Sequence, residues 1–271
     1  MKIALIITGQ LRTYKLCGNV LKNTIIDKYD TDVFLSINKS NNLQNENLNS
    51  KIDSNNDDIN EAIQYFNPKC VFVSNGYDDI FENLEVNKTL KENRLILEQY
   101  YIVQQGYKLL IKYSKTNNIY YDAIIRVRFD QFIWSDSANI LSKILIGTNN
   151  YNDQIRIIYN EENIKLANDN SKDLKMDIDI PNTNEIFVFG GGVINSNYSW
   201  VNEQFWVHSM DLIDTMYTFY DNIPNIIDEV LSNDLSIHNC PYMELIFSTF
   251  LNKNNIQIIK SKIHGQFCYE Y

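Results

Sequence analysis

The chain has 271 residues, 44% of them hydrophobic, and a formal net charge of −10. A chain of this length buries a core without metal or disulfide staples. Its acidic balance, with no basic run, excludes the electrostatic footprint of a nucleic-acid binder, and no basic amphipathic helix offers a membrane anchor.

Lys2–Thr8, KIALIIT, predicts a strand closed by Gly9, and Arg12 and Thr13 open a helix to about Asn23. The apolar run is too short for a signal segment or a membrane span, which points to the cytoplasm. Neither GxGxxG nor GxxxxGK[ST] follows the strand, so the Rossmann fingerprint and the P-loop are absent. Cys17, Cys70, Cys240 and Cys268 are scattered without a CxxC pair, which argues against a zinc or redox motif and suits a reducing compartment. Asp32–Ile37 predicts a second strand, 39–60 a polar insertion, Asn60–Phe66 a short helix and Cys70–Val73 a third strand. Leu90–Lys115 carries Ile96, Tyr100, Val103, Tyr107 and Leu110 at helical spacing, a stripe for core packing.

The stretch Tyr120–Trp134, YYDAIIRVRFDQFIW, predicts a buried strand over 121–129 that ends in charge. Arg126, Arg128 and Asp130 alternate, which puts them on one strand face. Such charges are costly in a dry core unless paired or bound to something ionic. They mark either an anion site at a strand end or an internal Arg–Asp pair that closes the strand. Arginine is scarce: Arg12, Arg94, Arg126, Arg128 and Arg156 are the full set, and three of them fall at two strand ends. That placement favours a small anion, since guanidinium suits bidentate contacts to phosphate or carboxylate.

Beyond this stretch, Ser135–Leu141 predicts a short helix, with strands near Leu145 and over Gln154–Tyr159. The polar segment 160–184, with Asp169, Asp173, Asp177 and Asp179, reads as a surface loop without the spacing of a calcium-binding EF-hand. Glu185–Ile194 reads as strand, Gly190-Gly191-Gly192, strand; the glycines allow either a tight turn or close approach of a ligand. Ser199 or Asn202 is expected to cap a helix to about Tyr220 that carries Glu203, Gln204, Phe205, Trp206 and His208. Helices over Pro224–Leu231 and from Pro241 to Asn252, a strand at Ile256–Ile259 and an irregular tail complete the reading.

Several segments in order resemble the glycosyltransferases of giant DNA viruses and the WavE-type lipopolysaccharide-synthesis proteins. They are ALIITGQLRTY, TDVFLSI, EQYYIV, YDAIIRVRFD, VNEQFWVHS and PYMELIFSTFL. The third-last resembles that family's YD-x-I-I-R-x-R-x-D signature, and the Asn, Ile, Lys and Tyr bias fits an AT-rich giant-virus genome. The resemblance implies one α/β domain over 1–271 with a GT-A-like fold, a mixed central sheet and flanking helices. It implies transfer from a nucleotide-sugar donor, UDP-linked for instance, to a glycan or other hydroxyl acceptor, in the host cytoplasm if the protein is viral. Gly9, Gln10, Arg12, Arg126 and Arg128 would hold the donor, and Asp130 would stand where such enzymes carry a DxD metal motif. Arg128 occupies the first Asp position of that motif, so Asp130 either shares Mn²⁺ or Mg²⁺ with the diphosphate or the arginines neutralise it without metal. Glu203, where related sequences carry Asp, would be the catalytic base, with His208 and Asp211 in reserve. Gly191, Gly192, Gln204, Trp206 and Glu244 would face the acceptor. Phe205, Trp206 and Trp134 form either a sugar-stacking wall or plain core. The rival readings are a non-catalytic nucleotide or glycan binder and a nucleotidyltransferase.

Overall fold

The computed structural model describes residues 1–39, 56–74, 94–135, 157–189, 191–195, 198–201, 203–232, 236–237, 240–241 and 243–269. The apolar run at the start forms β1 (Lys2–Gly9), and α1 (Tyr14–Leu21) leads through one π-helical turn (Lys22–Ile26) to β2 (Asp30–Asn38). Helix α2 (Asn56–Phe66) begins earlier than its apolar residues suggest, and β3 (Cys70–Ser74) follows. The long helix α3 (Arg94–Asn117) returns the chain to β4 (Ala123–Arg128). Four residues of its expected stripe, Tyr100, Val103, Tyr107 and Leu110, are buried in the core; the side chain of Ile96 lies outside the described residues.

Strands β1, β2, β3 and β4 are all parallel, in the spatial order β3-β2-β1-β4. Next to β4 comes an antiparallel strand, β10 (Phe205–His208), then β7 (Glu185–Val188) and β13 (Gln257–Lys260), giving a mixed seven-stranded sheet. The order reverses at β1: the chain moves outward through β2 and β3, then returns to place β4 on the other side. In open α/β sheets such a switch point opens a crevice at the carboxyl ends of the strands.

Each face of the sheet is covered by helices. On β1, Ile3, Leu5 and Ile7 pack into a core with α1, α2 and α4 (Glu161–Ser171), while Ala4 and Ile6 face α3, α5 (Ile213–Tyr217), α6 (Phe219–Ser232) and α7 (Met243–Lys253). Burial on both faces explains why β1 reads as an unbroken apolar run. Gly106 lets α3 lie directly on β1, because a Cβ there would come within 2.5 Å of the Ile6 side chain. Outside the main sheet, β5 (Gln131–Ser135), β14 (Ile263–Tyr269) and β6 (Ile157–Ile158) form a three-stranded sheet, and β8 (Gly191–Asn195) pairs with β9 (Tyr198–Val201). Strands β11 (Ser236–Ile237) and β12 (Cys240–Pro241) make a further short pairing.

Four expectations are corrected. The polar segment 160–184 contains α4, because the Asn160 side chain accepts from Asn163 N at 2.7 Å and Glu161 and Glu162 occupy the positive first turn. The expected helix from 199 to 220 is β9, a turn and β10, followed by a 3₁₀ turn (Met210–Leu212) and α5. Strand β10 has Phe205 and Val207 in one core and Trp206 in the other, so it lacks the alternation that marks a strand. The tail is β14, not irregular, and pairs antiparallel with β5. Pro241 precedes α7 rather than lying in its first turn, and Pro224 lies inside α6. The helix expected at Ser135–Leu141, beyond Ser135, and the strand near Leu145 lie outside the described residues.

Candidate functional site

Side chains alternate along β4, so Ala123, Ile125 and Val127 enter the α1 core while Ile124, Arg126 and Arg128 face α3. Two guanidinium groups therefore emerge at the switch point on the same side as Thr8 of β1. A cavity of about 280 Å³ opens there. Its walls include Thr8, Gly9, Gln10 and Arg12 after β1, Arg126 and Arg128 of β4, and Glu98 and Gln99 of α3. Asn38 at the end of β2, Ile102 and Met243 close the rest. Gly9 has φ +108°, a left-handed conformation, and nothing lies within 4 Å of where its Cβ would be. Glycine is needed there for the backbone turn into the cavity rather than for space.

Arg126 is 1% exposed and forms the cavity floor. Its Nε donates to Thr8 Oγ1 at 3.1 Å and its Nη1 to the carbonyl of Glu203. The guanidinium stacks 4.6 Å over the Trp206 ring, its cross-strand neighbour on β10. Burial lowers its pKa to about 10, against the pull of Glu203, so it stays charged at neutral pH. Beneath it, Trp206 Nε1 donates to Tyr107 Oη (2.7 Å), which bonds His208 Nε2 (2.7 Å), while His208 Nδ1 bonds the Ser209 carbonyl (2.7 Å). Those partners fix a neutral imidazole with its proton on Nδ1, and burial pushes the His208 pKa down to about 4.

Asp130 lies in the turn between β4 and β5, not on the strand face expected for it. Arg128 grips it with both prongs, Nε to Oδ1 at 2.8 Å and Nη2 to Oδ2 at 2.9 Å, and Arg12 Nη1 stands 3.6 Å from Oδ2. Burial works against the charge of each partner. The Asp130 carboxylate nonetheless holds Arg128 above the usual arginine range, and Arg128 with Arg12 holds Asp130 below the carboxylate range. The internal ion pair and the strand-end cluster thus coexist, because Arg126 and Arg12 line the same cavity as Arg128.

Arg128 Nη1 also donates to Gln99 Oε1 at 3.1 Å. Behind Gln99 lies Glu203, 3% exposed, in the turn before β10. It is not at a helix start, so no helix dipole acts on it. Burial raises its pKa while Arg126 and Arg128 oppose the rise and Glu244 adds to it. The Gln99 amide is near enough to favour the charged form, yet neither Gln99 Nε2 nor Glu203 Oε2 completes a hydrogen bond among the described residues.

The structure thus gathers Gly9, Gln10, Arg12, Arg126 and Arg128 around one cavity, with Asp130 joined to Arg12 and Arg128 at its edge. The proposed acceptor residues are spread more widely. Trp206 is fully buried and supports Arg126 instead of forming an open wall. Gln204 is half-buried in the turn after Glu203, Glu244 sits in the first turn of α7 beside the cavity residue Met243, and Gly191 and Gly192 lie in β8. Gly190 lies outside the described residues. Trp134 stacks on His264 across the β5–β14 pairing. Sequence reasoning missed Gln99, Glu98 and Asn38, which reach the cavity from α3 and β2; Asn38 Nδ2 donates to Glu98 Oε1 at 2.8 Å. Polar residues at the start of an otherwise apolar helix face were the available signal.

A resident Mn²⁺ or Mg²⁺ needs oxygen ligands with open lone pairs. Asp130 has both oxygens engaged by guanidinium, and among the described residues no three His, Cys, Asp or Glu side chains converge as a ligand set. Among the described residues a resident divalent cation therefore finds no ready-made set of three such ligands.

Residues 1–151 match a family described as a domain of unknown function, DUF7796. The chain belongs to the DUF7796 family. The matched segment carries Arg12, Arg126, Arg128 and Asp130, while Glu203 and α7 lie beyond the DUF7796 match. No curated protein matches the chain. Among the described residues no helix is long and apolar enough to cross a membrane.

Proposed function

We propose that the protein is a glycosyltransferase of GT-A type, related to the giant-virus and WavE-type enzymes, that moves a sugar from a nucleotide-sugar donor to a hydroxyl of a glycan or other acceptor. The observation that carries this reading is the cluster of three guanidinium groups at the switch-point cavity, backed by the buried carboxylate of Glu203. In such a transfer the bond between the anomeric carbon and the diphosphate oxygen breaks, and its electron pair stays on the diphosphate. Arg12, Arg126 and Arg128 meet that growing charge, which favours the transition state over the ground state. The acceptor oxygen bonds to the anomeric carbon and its proton passes to a carboxylate. Glu203 is assigned that role, because burial raises its basicity above that of an ordinary carboxylate.

A non-catalytic nucleotide binder is the second reading, favoured by Glu203 being buried and not among the residues that line the cavity. Incubation with a panel of nucleotide sugars separates the readings. Transfer predicts nucleoside diphosphate release that rises with acceptor. Binding without release supports the second reading, and release of sugar 1-phosphate, the leaving group when the nucleoside monophosphate is moved, would indicate nucleotidyl transfer instead.

A further inference from the structure

We infer that the cavity takes a diphosphate group directly on its arginines, with no bridging divalent cation, and that Asp130 is an internal counter-ion that holds Arg128 and Arg12 in place until the ligand arrives. The inference rests on the nucleotide-sugar reading for the identity of the ligand, but its charge argument is independent of it.

Arg12, Arg126 and Arg128 line the cavity with one carboxylate on its wall, Glu98, which accepts from Asn38, and Asp130 is held by Arg128 and Arg12 at its edge. A dication placed there would meet three guanidinium groups at close range and would have to displace the Arg128 fork to reach Asp130. A diphosphate meets the same charges with the opposite sign. The planar fork that now fits a carboxylate fits a phosphate equally well. Arg126 adds a fixed cation, held from below by Trp206 and from the side by Thr8 and the Glu203 carbonyl, so little reorganisation is needed on binding. Asp130 has three other duties already met in the free protein: it orients Arg128 through two bonds, it attracts Arg12, and it neutralises part of a charge cluster that would otherwise repel itself. Anion binding then becomes an exchange of one carboxylate for another acidic group at the same guanidinium.

The two roles for Asp130 predict opposite signs. As a metal ligand, its loss abolishes metal-supported binding. As a counter-ion that competes with the ligand for Arg128, its loss leaves anion affinity equal or greater.

The test is calorimetric titration of inorganic pyrophosphate, UDP and GDP into wild type and Asp130→Asn, in excess EDTA and in MnCl₂, with circular dichroism as a control on folding. The expected result is pyrophosphate binding in EDTA within about threefold of that in MnCl₂, below the tenfold that 1.4 kcal/mol represents, with Asp130→Asn binding at least as tightly. Binding that appears only with Mn²⁺, absence of pyrophosphate binding in both conditions, or a folded Asp130→Asn that no longer binds would overturn the inference. The wild-type titrations decide the matter even where Asp130→Asn does not fold. Pyrophosphate binding in EDTA without binding of either nucleotide would leave this inference standing and count against the nucleotide-sugar reading.

Discussion

Both ends of the parallel strands β1, β2 and β4 carry clustered charge, and the two clusters differ in kind. At the amino ends, Lys2 pairs with Asp30 (3.0 Å) and Asp32 (3.3 Å), Lys69 pairs with Asp32 (3.4 Å), and Tyr121 donates to Asp32 at 2.8 Å. Asp122 accepts from the Lys2 backbone at 2.7 Å. Lysines meet carboxylates there, most of them open to water. At the carboxyl ends, Arg12, Arg126 and Arg128 line one cavity together with the carboxylate of Glu98, Asp130 is paired to two of them, and Arg126 is almost fully buried. A mostly exposed surface cluster adds little stability, whereas a buried cation costs free energy that folding alone gives no reason to spend. Burial, not the presence of charge, distinguishes the cavity end.

The sharpest way to break this comparison is to remove the buried cation. Arg126→Met keeps an apolar volume over Trp206 and is expected to weaken nucleoside diphosphate binding by about 2–5 kcal/mol, the usual cost of truncating a buried hydrogen-bonded charge contact. Calorimetric titration measures it, and retention of full affinity would place the anion elsewhere.

Glu203→Gln is the next largest effect and is specific to rate. Transfer should fall roughly 10²–10⁴-fold, the general-base contribution, with donor affinity kept. The same variant has a stability signature. Burial raises the Glu203 pKa, so its stabilising contribution is complete below the ordinary carboxylate range and is lost as pH rises through the raised value. Glu203→Gln should therefore be no less stable than wild type at neutral pH, and its melting temperature should lose that decline. A transfer rate within about threefold of wild type would remove Glu203 from the mechanism.

The support beneath Arg126 is tested by pH. His208 has its pKa depressed from 6.5 to about 4, so the unfolded chain takes up a proton that the folded one refuses. Stability is complete above 6.5 and falls as pH drops toward 4, by up to about 3 kcal/mol. Melting curves across that window should show the slope in wild type and lose it in His208→Gln. Smallest of all is Lys69→Ala at the opposite end, expected to cost no more than about 1 kcal/mol of stability and to leave anion binding unchanged.

Much of the frame was legible. The apolar runs of β1 and β2, the stripe of α3 and the charged end of β4 each follow from local periodicity, and scarce arginine singled out Arg12, Arg126 and Arg128, which line one cavity. The failures share a physical cause. Strand β10 is inserted between β4 and β7 with both faces buried, so its tertiary setting, not its periodicity, decides its conformation. That error misplaced Glu203 at a helix start and Trp206 on an open wall. Strand β14 depends on pairing with β5, more than a hundred residues earlier, and no local pattern announces such a partner. Gln99 and Glu98 were hidden because a helix read for its apolar stripe says nothing about which strand ends it overlooks.

The central claim, that the arginine-lined cavity is a nucleotide-sugar site, is tested most directly by a melting-temperature panel of nucleoside diphosphates and their sugars on wild type and Arg126→Met. At about 1 mM, well above the affinities typical of specific small-molecule sites, at least one nucleotide series should raise the wild-type melting temperature by mass action, and Arg126→Met should lose most of the rise. No shift from any nucleotide, or an equal shift in Arg126→Met, would contradict the account.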